Sequence, residues 1–223
     1  MTFSITARCK NTGMLGVAVL TKAFAVGSLC PFVKAGVGAI STQAWVNPAL
    51  GYKGLELLET GMKADEVLSQ LLEADPGREI RQLAIVDSQG NTAAFTGQKT
   101  NDWKGHFEGD QFVCAGNLLA GEEVIRLMAE AFEHAEGELG NRLLQAIEAG
   151  QKAGGDHRGK QSAALIVQKD PDFPYINLRV DDHTDPDIEM RRLYNIHQDQ
   201  LLKVYDEWVD VIRSGKDPEV IFK

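Results

Sequence analysis

Residues 2–9 read TFSITARC and residues 15–21 read LGVAVLT. The first stretch alternates, the second runs apolar, and KNTGM between them puts a glycine where a turn is needed. The pattern predicts a β-hairpin at the amino terminus. Thr2 and Ser4 fall on one face of its first strand, because side chains alternate along an extended chain. What the rest of the chain offers to cover this hairpin decides the fold class. Residues 22–45 (KAFAVGSLCPFVKAGVGAISTQAW) are apolar and glycine-spaced, which predicts a loop followed by a strand near 36–44.

Between 53 and 73, Leu55, Leu58, Met62, Val67, Leu68, Leu71 and Leu72 recur at helical spacing, interrupted at Gly61. Two short helices are expected, the second opening near Lys63–Asp65 and stopped by Asp75-Pro76-Gly77. Residues 80–87, 92–96 and 111–116 are strand-like. Val124, Leu127, Met128, Ala131 and Phe132 mark one helix face; Leu139, Leu143, Leu144 and Ile147 mark another. The loop AGGDHRGKQ then leads into two more strands, SAALIV and INLRVD. A long amphipathic helix is expected over roughly 187–213, carrying Leu193, Ile196, Leu201, Val204, Tyr205, Trp208 and Ile212.

Groups of strands separated by helical pairs favour a layered sandwich over a βαβ parallel sheet. The expectation is an α+β chain: a four-layer αββα sandwich of two mainly antiparallel sheets, plus the C-terminal amphipathic helix. Residues 1–183 form the sandwich, and 184–223 form a helical extension packed on it or on a partner subunit.

With 223 residues the chain suits one domain with a large core. A net charge of -9 argues against nucleic-acid partners, which require a basic surface. No apolar run approaches the roughly 18 residues that cross a bilayer, and no leader pattern opens the chain, so no membrane partner is expected. Cys9, Cys30 and Cys114 are odd in number, far apart and free of CxxC spacing. They read as reduced thiols in a cytoplasmic protein. Asp181, Asp182, His183, Asp185 and Asp187 match neither EF-hand nor zinc spacing, so neither a metal nor another cofactor is expected.

The stretches TFSITAR, TGMLGVAV, FAVGS, AGVGAISTQAWVNP, GNLLAG, GGDHRGKQSAAL and LRVDDH follow in order across residues 2–183. They resemble the prokaryotic family known as domain of unknown function 1028. The chain departs from that pattern at Cys9, where the family usually shows an acidic residue after Ala-Arg. The resemblance implies the αββα fold of the N-terminal nucleophile (Ntn) hydrolases. In that superfamily the first residue after processing is the nucleophile and its own amine is the base.

Thr2 fits that role chemically, being small enough to permit removal of the initiator methionine. An α-amine has a reference pKa of about 7.7–8.0, so much of it is unprotonated near neutrality. Ser4 lies on the same face and is a second candidate. A cation is needed to set the protonation of such a site. Lys22 ends the second strand, and Lys34 follows Thr2 at a separation similar to that of the catalytic lysine in proteasome-type subunits. Asn117, closing a strand, suits an oxyanion hole. Thr42, Gln43 and Asn47 are polar residues in an apolar block and are candidate substrate contacts. So are Asp156, Arg158 and Gln161 in the glycine-rich loop, where Arg158 suits a carboxylate.

The reading is an Ntn amide hydrolase for a small amide or peptide-like substrate. The competing reading is a non-catalytic binding or assembly protein that retains the fold. A homodimer is expected to form through the C-terminal helix, because aromatics such as Tyr205 and Trp208 are enriched at interface cores.

Overall fold

The first hairpin consists of β1 (Thr2–Arg8) and β2 (Leu15–Thr21), paired antiparallel from Phe3–Leu20 to Arg8–Leu15. The structure is a computed structural model that describes residues 2–215. Beyond the hairpin come β3 (Pro31–Lys34), β4 (Gly38–Ala44), α1 (Pro48–Glu59) and α2 (Ala64–Ala74). Four strands follow: β5 (Arg81–Asp87), β6 (Thr92–Thr96), β7 (Gly105–Gly109) and β8 (Phe112–Asn117). The chain then runs through α3 (Glu123–His134), α4 (Leu139–Lys152), β9 (Ser162–Gln168) and β10 (Pro174–Val180). The last helices among the described residues are α5 (Pro186–Gln200) and α6 (Tyr205–Ser214).

One sheet has the order β10-β9-β2-β1-β8-β7 and the other β3-β4-β5-β6. Three separate apolar clusters define the layers. Phe3, Ile5 and Ala7 of β1 pack with Val124, Met128, Leu143 and Ile147 beneath α3 and α4. Ile40, Leu83 and Ile85 pack with Leu58, Val67 and Leu71 beneath α1 and α2. Between the sheets, Leu15, Val17, Val113 and Ala115 meet Ala39, Ala84 and Val86. Each fully buried large aliphatic side chain is worth about 1.5–3 kcal/mol, so both outer clusters hold their helices firmly. The result is the expected α-β-β-α sandwich of antiparallel sheets. Gly51 lets α1 lie close to the sheet, since a Cβ there would come within 2.2 Å of the Phe32 ring.

Four details differ from the sequence reading. Strands β3 and β7 are additional, and both are edge strands, which need no apolar alternation to be stable. Helix α1 starts at Pro48 rather than near 53, because Asn47 Oδ1 accepts the Ala49 N–H at 3.2 Å and proline suits the first helical turn. The single terminal helix is two helices, with a 3-10 turn at Leu202–Val204 between them. That turn brings Tyr205 and Trp208 back onto this chain. Tyr205 packs edge-on to Tyr175 at 4.9 Å and donates its hydroxyl to Phe173 O at 3.0 Å, while Trp208 meets Phe173 at 5.2 Å. Met190 and Tyr194 of α5 enter the large core, and Tyr194 Oη donates to Glu138 Oε2 at 2.8 Å. The two aromatics expected at a partner are engaged at home. No helix among the described residues is long and apolar enough to cross a membrane.

Candidate active site

Phe3, Ile5 and Ala7 face the helices, so the alternate residues Thr2, Ser4 and Thr6 face the opposite sheet. All three are buried. Thr2 heads the strand, sits opposite Asn117 of β8, and donates Oγ1–H to Thr21 Oγ1 at 3.2 Å. One step deeper, the Ser4 and Ser41 hydroxyls meet across the sheets at 3.1 Å. Thr6 Oγ1 is buried with no partner among the described residues.

Beside Thr2 a chain of buried amides crosses between the sheets. Gln82 of β5 accepts through Oε1 from Asn117 Nδ2 at 2.9 Å and from Gln43 Nε2 at 2.7 Å. Its own Nε2 lies 2.9 Å from each of Gly116 O, Gly105 O and Thr96 Oγ1, three acceptors that share its two N–H groups. Gln43 Oε1 in turn accepts from Cys30 Sγ at 3.9 Å. Burial pushes the Cys30 thiol up to about 12, so it is a packing group here and not a nucleophile.

Above these amides opens a cavity of about 310 Å³ whose lining includes Asn117, Leu118, Arg158, Ala44 and Trp45, with Thr100 and Asn101. Two of its walls are strained. Ala44 (φ 70°) and Leu118 (φ 53°) both hold the left-handed conformation that non-glycine residues rarely adopt. Each is over-determined by neighbours. Leu118 N donates to Asn101 O at 3.1 Å, and Trp45 O accepts from Arg81 Nη1 at 2.5 Å. Arg81 is fixed by Asp75, 2.9 Å away. Burial opposes ionisation of Asp75, but the Arg81 guanidinium and the Gly77 amide outweigh it and hold that carboxyl below its usual range.

The glycine-rich loop supplies the last wall. Gly154, Gly155 and Gly159 all take positive φ, which permits the tight course that the sequence suggested. The loop is tied to the end of β8 by His157 N donating to Leu118 O and Ala120 N donating to Gly155 O. Buried Asp156 accepts from Lys22 N at 3.1 Å, which anchors the loop next to Thr21. The same carboxylate accepts from Arg158 Nε and Nη2 at 3.2 and 2.9 Å, which sets the guanidinium at the cavity wall.

The structure therefore brings Thr2, Asn117, Gln43, Asp156 and Arg158 to one end of the inter-sheet layer, with Ser4 just below. Other candidates lie elsewhere. Lys34 pairs with Glu59 at 2.6 Å at the far end of β4, opposite Gly38. Five residues of strand separate that level from Gln43, about 17 Å. It cannot serve Thr2. The exposed Lys22 Nζ donates to Lys160 O at 3.4 Å and shares a shallow surface depression with Gln161, outside the cavity lining. Gln161 Nε2 donates to Asp182 there. Thr42 shares a strand face with Ile40, toward the helices, and its hydroxyl reaches Asn47 O at 3.5 Å. Asn47 itself caps α1. Asp185 and Asp187 pair with Lys160 at 2.9 and 2.6 Å.

The model of a family of unknown function, DUF1028, matches residues 2–190. The chain belongs to the DUF1028 family. It resembles the crystal structure of protein SPO2555 from Silicibacter pomeroyi, described under the same family, at 34% identity and a TM-score of 0.83. That match covers 88% of this chain and 86% of the other. Anbu (ancestral beta-subunit) from Yersinia bercovieri aligns at 11% identity with a TM-score of 0.40, over 96% of this chain and 98% of that one. No curated protein matches.

Gln82, Thr21, Ser41 and Trp45 border the candidate site of this DUF1028 chain, and the sequence reading passed over them. Gln82 had left one signal, as an uncharged polar residue inside the apolar run of IRQLAIVD. The other three are ordinary strand or turn residues until the sheets are stacked.

Proposed function

We propose that this protein is an N-terminal nucleophile amide hydrolase for a small amide or peptide-like substrate. One observation carries the reading: Thr2, at the head of a central strand, has as its cross-strand partner the Asn117 that lines the cavity. With Met1 removed, Thr2 Oγ attacks the substrate carbonyl carbon while its hydroxyl proton passes to the Thr2 α-amine. The resulting oxyanion is held by donors at the end of β8. Asn117 suits this, because its amide carries two N–H groups and Gln82 takes one of them. Collapse expels the substrate amine, protonated by the Thr2 ammonium, and leaves an ester on Thr2. Water then cleaves that ester with the amine again as base.

Met1 lies outside the described residues, so the test is made on the protein itself. Mass spectrometry of protein purified from its native host is expected to find a chain starting at Thr2. A quantitatively retained Met1 would end the amine-as-base mechanism.

The second reading, a non-catalytic binding or assembly protein, is favoured by the 69% exposure of Trp45, the 66% of Phe24 and the 63% of Tyr52. Self-association belongs to either reading. Through α5 and α6 it would rest on Ile188, Ile196 and Ile212, which stay exposed after Tyr205 and Trp208 are packed. Light scattering at twice the 24.4 kDa chain mass is the expected result, and a stable monomer removes the proposal. A cytoplasmic setting, also proposed, is supported by three unpaired buried cysteines.

A further inference from the structure

We infer that the cavity selects ligands carrying a free carboxylate next to an aromatic group, as in an N-acyl aromatic amino acid. The inference deepens the amide-hydrolase reading and rests on it for the scissile amide, but not for the binding. Among the described residues that line the cavity, Arg158 is the charged one and no acid accompanies it, although the chain as a whole carries a charge of -9. Its Nε and Nη2 are taken by Asp156, whose side chain is only 1% exposed, and this pair leaves Nη1 out. The guanidinium is thus held in place before any ligand arrives, so little freedom is lost on binding. Because Asp156 balances its formal charge, recognition depends on the planar N–H geometry that fits a carboxylate more than on a long-range field.

Trp45 supplies the other half. Its backbone is pinned by Arg81 and by the left-handed Ala44, yet its side chain is 69% exposed at the cavity. An indole left in water beside a cavity is a surface that a ligand ring can cover. Asn117 lines the same space and is the cross-strand partner of Thr2, which links the cavity to the proposed nucleophile. The volume of about 310 Å³ stands at the lower end of the range of small-molecule sites, room for one amino-acid derivative.

The test is calorimetric binding to the Thr2→Ala protein, which cannot turn its ligand over. The probes are N-acetylphenylalanine and its neutral isostere N-acetylphenylalaninamide. The acid is expected to bind about tenfold more tightly than the amide, the difference of one well-placed charge-assisted contact. Arg158→Lys keeps a positive charge beside Asp156 but loses the fork, and is expected to erase the preference. Trp45→Ala is expected to weaken both probes together. Equal affinity for acid and amide, no binding of either, or a preference that survives Arg158→Lys would each overturn the inference. Failure of the Thr2 protein to hydrolyse N-acetylphenylalanine, with the acid preference intact, would strike the hydrolase reading alone.

Discussion

Thr2→Ala is expected to lower amide hydrolysis by roughly 10⁴-fold or more, the scale on which a nucleophile acts, since no other group takes over its step. Stability should fall only modestly. The substitution removes one hydroxyl contact, Thr2 to Thr21, worth about 1 kcal/mol, and one buried methyl worth about as much again. A folded protein without activity is therefore the expected outcome, read by initial rates on a panel of small amides and by urea denaturation. Thr2→Ser keeps both hydroxyl and amine and should retain turnover. Ser4→Ala serves as the internal control, because Ser4 is engaged with Ser41 one step deeper between the sheets. If the alanine protein at position 2 worked at the parental rate while the one at position 4 did not, the nucleophile would have been misassigned.

Gln82→Leu should produce the opposite phenotype, a loss of stability. Leucine has nearly the right size, but it offers no partner to the groups that Gln82 now satisfies. Asn117 Nδ2 and Gln43 Nε2 lose an acceptor, and Gly116 O and Gly105 O lose a donor, in a position with no exposure to water. Each buried group left unpaired costs about 1–3 kcal/mol, so the sum is on the order of 5 kcal/mol. A domain of this size is stable by only about 5–15 kcal/mol, so the variant should lose about a third or more of its stability. Denaturation midpoints by circular dichroism would measure it. A loss under about 1 kcal/mol would mean that these amides find other partners, and that Gln82 does not hold Asn117 in place.

The strands and helices that face a core were legible because burial sets their apolar pattern. β1 alternates, β5 and β8 are buried along nearly their whole length and run largely apolar, and α3 and α4 carry apolar stripes. The edge strands β3 and β7 show no such pattern: PFVK begins with proline, and GHFEG is too short and too polar to show an alternation. The terminal helix was misread as continuous because its apolar spacing carries through Leu201 and Val204. The break comes from tertiary contacts of Tyr205 and Trp208 that local sequence does not record.

The site followed a similar rule. Thr2, Gln43, Asn117, Asp156 and Arg158 stood out as polar groups among apolar or glycine-rich neighbours, and the fold gathers them. Lys34 was proposed from its distance along the chain, which says nothing about which end of a strand pair it occupies. Thr42 and Asn47 stood out for the same reason as Gln43, but they satisfy the start of α1 instead. Gln82 acquires meaning only when two sheets are stacked, because its partners come from four other strands.

The alternation along β1 has an evolutionary side. A slip of one residue would turn Phe3, Ile5 and Ala7 into the space between the sheets and press Thr2, Ser4 and Thr6 against α3 and α4. One period of two assigns both the greasy face and the hydroxyl face. An insertion or deletion within these seven residues cannot trade activity against foldability, since it forfeits both at once. Drift in this strand is confined to substitutions in place, whereas the 154–161 loop, which carries Arg158, can be remodelled without touching either sheet's register. New substrate preferences in such a scaffold should therefore arise from the loop, and the hydroxyl at its head should be the last thing to move.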